Sequence, residues 1–302
     1  MNMQEELQPI AQSPVSSLKN EPRGNRMKAI KAGLTDEERT KPYAAYFDRA
    51  PVLPSTDALA PMEQPIDPSN ALFPENLNDI LKPGYLAAET GWCVMPNGTG
   101  YVSCLTKMPG ISSQMVDWWF AWHALEPLRY KIWWPEGHAD LQISDEARKR
   151  ILDPAVPMSQ KNHGLAHHVL EDIGGGAYDK IRIQFMSPED YGFDMSLFKA
   201  PNVSALAAGV GYVRSTRAPF FIPAIPVMMC HLIRDIDGGI EFRTRFWMGY
   251  DIVNRKPKKK LPPFIKIPAR IPRGLAIHCV YEYTNLASFL PQIYEEQRGE
   301  LL

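Results

Sequence analysis

The stretch GLAIHCVYEY, residues 274–283, sets His278 and Glu282 four positions apart. In a helix the two side chains would share one face. An imidazole and a carboxylate so placed form either one edge of a metal site or a hydrogen-bonded polar spot, and HxxxE is short enough to recur by chance. The apolar residues around the pair sharpen the first reading, because a carboxylate on an apolar face is expensive unless a cation answers it. Two further ligands would have to come from elsewhere. His138 closes YKIWWPEGH, in a turn marked by Pro135 and Gly137. Turns near helix ends commonly deliver ligands; a solvent-exposed histidine is the competing reading. Glu171 stands in LAHHVLEDIGGG. Strand alternation there puts His167, Val169, Glu171 and Ile173 on one face and His168, Leu170 and Asp172 on the other, so either face offers a ligand. A rival pair, His123 and Glu126, lies three apart near a helix end in WWFAWHALEP. A histidine among bulky aromatics is more commonly a packed core residue, which leaves that pair as the runner-up.

Other chemistries find less support. Gly174-Gly175-Gly176 lacks the Lys-Ser/Thr of a phosphate-binding loop, and GVGYV at 209–213 lacks the third glycine of a dinucleotide fingerprint. There is no GxSxG elbow, and no cysteine has a local activating base. A metal is therefore the best electrophile on offer. Cys93, Cys104, Cys230 and Cys279 lie far apart without CxxC spacing and read as reduced core residues, which fits a cytoplasmic compartment.

Composition bounds the partners. The 302 residues are 45% hydrophobic, enough for a sizeable core, and 33 Lys plus Arg against 34 Asp plus Glu leave a net charge of -1. That balance carries no electrostatic footprint of a nucleic-acid binder, and the one basic run, KPKKK at 256–260, reads as a solvated loop. The start MNMQEELQPI is acidic where a secretion signal is basic, and the most apolar run, APFFIPAIPVMMCHLI, is broken by three prolines. No membrane partner is expected.

The elements that must position these residues begin late in the chain. Residues 1–40 read as a flexible tail, and 41–90, rich in proline, as an extended wrapping segment ahead of a core at 91–302; together 41–302 form one expected domain. Two strands meet at Asn97-Gly98, and a helix follows in which Ser112 or Ser113 caps the start, Met115, Trp118, Trp119 and Trp122 recur at helical spacing, and Pro127 ends or bends the run. Strands are expected at 165–173, 180–186, 225–236 and 239–250, and a long helix at 274–298. This is an α+β layout, a mainly antiparallel curved sheet into which the last helix packs. Alternation in 239–250 gives one face Phe242, Thr244, Phe246, Met248 and Tyr250 and the other Arg243 and Arg245, so the first face makes a bulky wall for a flat apolar ligand.

The blocks PGYLAAETGWCVMPNGTGYVSCLTKMPG, DWWFAWHALEPLRYKIWWPEGH, VLEDIGGG, SPEDYGFDM, GGIEFRTRFWMGY and IHCVYEY together resemble the 2,4-diacetylphloroglucinol hydrolases, a group that includes phloretin hydrolase-like enzymes, over residues 36–298. The resemblance implies a helix-grip fold and a zinc ion on two histidines and two glutamates. Matched onto this chain, those are His138, Glu171, His278 and Glu282, with Tyr130 as the pocket tyrosine eight residues before His138 and His231 as a further histidine facing the substrate. Tyr130 and His231 are then the candidates for orienting phenolic oxygens or moving protons. The implied reaction is hydrolysis of the carbon-carbon bond between an acyl group and a polyhydroxylated ring, with a small aromatic ketone as substrate. A homodimer is compatible with the sequence. The reading from another class is a non-catalytic helix-grip module that holds a hydrophobic ligand, with His278 and Glu282 bonded to each other.

Overall fold

The computed structural model describes residues 32–217 and 223–301. Most of the expected tail, residues 1–31, lies outside that range. Its last part does not behave as a tail. Thr35 caps α1 (Asp36–Arg39) in a reciprocal capping box with Glu38, and Glu38 pairs with the buried Lys131 at 2.7 Å. The motif TDEE carries its own start signal, which composition alone conceals.

The wrapping segment corrects a second expectation, because it is not extended. It winds through α2 (Ala45–Asp48), α3 (Thr56–Leu59) and three 3-10 turns at Ala60–Met62, Pro68–Asn70 and Pro74–Leu81. In each 3-10 turn a proline takes one of the first two positions, where its missing N–H leaves no bond unmade. Proline here starts helical turns and limits their length. The segment covers one face of the sheet, held by bonds such as Trp247 Nε1 to the Leu72 carbonyl, 2.7 Å.

The sheet begins with β1 (Gly91–Val94) and β2 (Gly100–Pro109), joined through Asn97-Gly98 with Gly98 in the left-handed region, φ 87°. Ser112 caps α4 (Ser113–Trp122). After a 3-10 turn, α5 (Pro127–Trp133) starts afresh with proline among its first residues, then come β3 (His138–Gln142) and α6 (Asp145–Leu152). The remaining strands are β4 (Ala166–Glu171), β5 (Asp179–Met186), β6 (Ala205–Ser215), β7 (Ile225–Ile236) and β8 (Gly239–Met248), with α7 (Pro188–Tyr191) between β5 and β6. All eight pair antiparallel in the order β1-β2-β8-β7-β6-β5-β4-β3. A separate hairpin joins β9 (Tyr250–Val253) to β10 (Lys256–Lys259).

The basic run at 256–260, expected as a solvated loop, is instead strand β10, paired along its length with β9. Within the eight-stranded sheet two strands escape the sequence reading. β3 occupies what reads as a turn. β6 contains GVGYV, rejected as a nucleotide loop, whose small residues show no clear alternation; a Cβ at Gly209 would meet the Gln184 carbonyl oxygen at 2.4 Å, so glycine allows the strands to approach. Tyr250 is corrected as well. Gly249, φ 89°, interrupts the alternation, and Tyr250 turns into the other cluster, where its hydroxyl accepts from Asn97 Nδ2 at 3.0 Å.

The C-terminal helix is two helices. α8 (Arg270–Ala287) starts four residues earlier than expected, and α9 (Leu290–Gln297) follows after a break at 288–289. Pro291 explains the break, since it cannot donate to the preceding turn. α8 packs on β1 and β2 near one edge of the sheet, while its His278 and Glu282 reach His138 of β3 at the opposite edge. The sheet therefore bends around the helix. Its inner face carries Phe242 and Phe246, packed with Trp118, Trp119 and Trp122 from α4; its outer face, under the wrapping segment, carries Tyr101 and Trp247, in one cluster with Tyr250 of β9.

Candidate metal centre and cavity

The antiparallel register sets His138 directly opposite Glu171 on neighbouring strands, and α8 lowers His278 and Glu282, one turn apart, onto the same spot. His138 Nε2 lies 3.4 Å from Glu171 Oε2, 3.4 Å from Glu282 Oε2 and 3.4 Å from His278 Nε2. His278 Nε2 is 3.6 Å from Glu282 Oε2. Ligand atoms of His138, Glu171 and His278 all fall within 4.8 Å of one another, so these three can hold a metal ion. Glu282 joins through its contacts with the two imidazoles.

The surroundings fit a cation. His138 Nδ1 bonds to the Tyr130 carbonyl at 3.0 Å, which fixes the tautomer and leaves Nε2 as the acceptor aimed at the cluster. Its ring stacks on Tyr130 with centroids 4.0 Å apart and planes parallel. The Tyr130 hydroxyl donates to Glu171 Oε2. Among the described residues lining the surrounding pocket there is no Lys or Arg. Burial opposes a charge on His278, yet Glu282 beside it lifts the imidazole to about 8, and the same pair holds Glu282, which burial alone would raise, down to about 2. In the bare cluster a proton thus occupies the place a metal ion would compete for.

Two connected spaces adjoin the cluster. The inner one, about 70 Å³, is bounded by aromatic groups, among them Phe120, Tyr130, Trp133 and His231. The outer one, about 260 Å³, is walled by aliphatic side chains from β5, β6, β7 and α8 and opens where Ile225 and Ile265 are partly exposed. Glu171, Ile183, Met229, Phe246 and Leu275 line both.

His231 faces the inner space from β7. Its Nδ1 bonds the Thr244 hydroxyl at 2.9 Å, with the Tyr283 hydroxyl 3.4 Å away, and its ring stacks on Phe120. Burial pushes it down to about 4, so it enters the cavity as a neutral imidazole. Tyr130 is driven well above the ordinary phenol range by burial and then by Glu171, so it stays protonated.

The rival pair does not converge. His123 Nδ1 bonds the Trp119 carbonyl at 2.7 Å, and burial pushes that ring down to about 3. Glu126 turns instead to the Tyr43 hydroxyl at 2.5 Å and Lys41 at 3.2 Å. His167 also lines the inner space, on the face shared with Glu171. Asp172, on the other face, caps the backbone N–H groups of Gly174 and Gly176. Sequence reasoning missed Asp179 and Ser215 in the outer space, since their side-by-side placement depends on the unrecognised β6.

Residues 72–295 match a family described as the DAPG hydrolase PhiG domain. The chain is 34% identical over 274 residues to a phloretin hydrolase of Eubacterium ramulus, spanning 89% of this chain and 95% of that one. It is 27% identical to a 2,4-diacetylphloroglucinol hydrolase of a Pseudomonas species over 270 residues, 85% of this chain and 89% of the other. Among solved structures it resembles Ara h 8.0201 at 8% identity and a TM-score of 0.37, covering 64% of this chain and 99% of that one, a likeness too weak to bear on the topology.

Proposed function

The chain belongs to the DAPG hydrolase family, and from that premise we propose that it is a zinc-dependent hydrolase cleaving the bond between an acyl carbon and a phloroglucinol-type ring. The observation that carries the reading is the meeting of His138, Glu171 and His278 ligand atoms within 4.8 Å of one another, with Glu282 3.4 Å from His138 and 3.6 Å from His278 and no basic side chain among the described residues of the inner pocket to balance the carboxylates. His138, Glu171, His278 and Glu282 would hold the zinc, which would need a further position for water. A structural zinc site would usually draw on cysteines, and the four cysteines here are buried and free. They also accord with a reducing cytoplasmic compartment. The bent sheet closed by α8 fits a single helix-grip domain, to which α1 ahead of residue 41 is tied through Glu38 and Lys131.

Zinc in this site would supply a Lewis acid that brings water toward neutral acidity and polarises an acyl oxygen. The chain's own groups do the rest. Tyr130, kept protonated, orients Glu171 through its single O–H, and its hydroxyl oxygen is left to accept from a substrate hydroxyl. His231, kept neutral and oriented by Thr244, accepts the proton of a ring hydroxyl and returns it to the acyl-bearing carbon, which puts the ring in its keto form. The oxygen of water becomes the new carboxyl oxygen, the carbon-carbon bond breaks with its electron pair going to the ring, and the ring leaves as an enolate that regains aromaticity and takes up the remaining proton of the water. The aromatic walls hold the ring flat and exclude bulk water.

Metal analysis together with turnover of acylphloroglucinols tests this. About one zinc per chain is expected, with a free carboxylic acid and a ring bearing hydrogen at the former acyl position as products. The matching ketone without ortho hydroxyls should bind without turning over. Efficient hydrolysis of simple esters with no cleavage of any acylphloroglucinol would overturn the carbon-carbon reading and leave a general esterase; zinc-free protein that binds the ketones unchanged would leave a binding module.

A further inference from the structure

His167 differs from the other histidines at the inner space and the cluster. His123 Nδ1 bonds the Trp119 carbonyl, His138 Nδ1 the Tyr130 carbonyl and His231 Nδ1 the Thr244 hydroxyl, while His278 has Glu282 beside it. His167 lines the same space and is 1% exposed, yet its Nε2 is buried with no hydrogen-bond partner among the described residues. Its ring lies against Phe185, centroids 4.7 Å apart, and edge-on to His123 at 6.5 Å. Burial, then His123, pushes it down to about 3, so the ring is neutral. The indole nitrogens of Trp118, Trp119, Trp133 and Trp134 are unpartnered as well, but each is one N–H on a large apolar ring. A neutral imidazole brings both a donor and an acceptor.

Its place along β4 says what it meets. His167, Val169 and Glu171 are the β4 side chains on the cavity face, so His167 stands four residues from the cluster's carboxylate, about 13 Å along the strand. A ring whose acyl carbon sits at the cluster presents the hydroxyls beside that carbon to Tyr130 and His231. The hydroxyl across the ring points away from the cluster, toward the end of the space that His167 shares with Phe185 and His123. The proton transfers assigned to His231 make no use of that hydroxyl. A phenol entering this aromatic wall unanswered is costly, and so is the orphaned imidazole; one hydrogen bond between them satisfies both.

Resting on the proposed hydrolase reading, we propose that His167 contacts the substrate directly, its Nε2 accepting a hydrogen bond from the ring hydroxyl opposite the acyl group. The contact fixes how deep the ring sits and thereby holds the acyl carbon at the cluster. His167 is then the inner anchor of the ring, complementary to the metal at the other end. A site built to bond a hydroxyl discriminates against the analogue lacking it, because the buried acceptor is left unanswered.

The test compares two ketones that carry the same 3-phenylpropanoyl chain and both flanking hydroxyls, one on a 2,4,6-trihydroxyphenyl ring and one on a 2,6-dihydroxyphenyl ring. The wild type should favour the trihydroxy compound by about 10- to 100-fold in kcat/KM. Part of that preference is ring electronics, which is the same for every variant, so the change in the ratio isolates the contact. His167→Leu should cut the ratio about tenfold or more, chiefly by raising KM for the trihydroxy ketone, with zinc content retained. His167→Gln, which keeps a donor and an acceptor, should restore an intermediate ratio. Poor folding lowers both rates alike and leaves the ratio readable. A wild-type ratio near one, or a ratio unchanged in His167→Leu, assigns Nε2 to a buried water and overturns the contact. Dissociation constants for both ketones, followed by tryptophan fluorescence, give the same ratio where turnover is too slow to measure. If the wild type cleaves neither ketone, the hydrolase reading falls while those constants still decide the His167 assignment; a wild type that binds neither overturns both.

Discussion

The two faces of the sheet bury glutamates in opposite ways. On the outer face Glu89 accepts from Arg243 Nη2 at 2.6 Å and from Arg245 Nη2 at 2.6 Å. Burial would raise its pKa, but these guanidinium groups bring it down to about 2. On the inner face Glu171 and Glu282 share their space with His138 and His278 and with no Lys or Arg among the described lining residues. Strand β8 shows the contrast within neighbouring positions, since Arg243 and Arg245 point outward while Phe242 and Phe246 point inward. A carboxylate balanced by its own chain is finished structure. A pair of carboxylates left to two imidazoles leaves room for an ion from outside.

That contrast can be broken by exchanging one glutamate on each face. Glu282→Gln should weaken zinc binding by about 100-fold or more and abolish turnover. Glu89→Gln should keep wild-type zinc content yet cost about 3 kcal/mol or more in denaturant unfolding, because two buried arginines lose their counter-charge. Retained zinc in the first variant, or lost zinc in the second, would reverse the roles assigned to the two faces.

A finer division runs through the inner face itself. His138→Ala should abolish metal binding, whereas His123→Ala should keep the metal and lower stability by about 2–3 kcal/mol through its aromatic neighbours Trp119 and Trp133. Elemental analysis beside thermal unfolding reads both. Metal-free His123→Ala with intact zinc in His138→Ala would move the site to the other histidine.

The smallest expected effect is one of pH. Glu89 is depressed in the folded chain, so its contribution is complete above about 4.5 and disappears as pH falls through about 2. In metal-free protein the stability difference between wild type and Glu89→Gln should shrink by roughly 2–3 kcal/mol between pH 5 and pH 2. A difference independent of pH would show that the arginines act through packing alone.

How much of this was legible in advance depended on range. The His278–Glu282 spacing and the alternation placing Glu171 beside His167 are local, and the sequence displays them. Strands β7 and β8 announce themselves through long alternating runs around Asp237-Gly238. β3 does not, since five residues after a turn give no period to detect, and without β3 the facing of His138 and Glu171 is invisible. β6, made largely of alanine, glycine and valine, hides for the opposite reason: its neighbours approach too closely to need bulky residues. The phase slip at Gly249, which sends Tyr250 outward, is a single backbone angle that alternation cannot anticipate. Prolines misled in the wrapping segment because they stop long helices and start short ones with equal ease.

The joining of the two spaces at Glu171 has a kinetic corollary. Nearly every residue around the inner space is buried, while the outer space reaches solvent beside Ile225 and Ile265. Under the proposed function, a ring seated inward would leave the carboxylic acid between it and the exit, so release would be ordered, acid first and ring last. The ring product would then inhibit competitively with substrate, and the acid, re-entering only behind a bound ring, non-competitively.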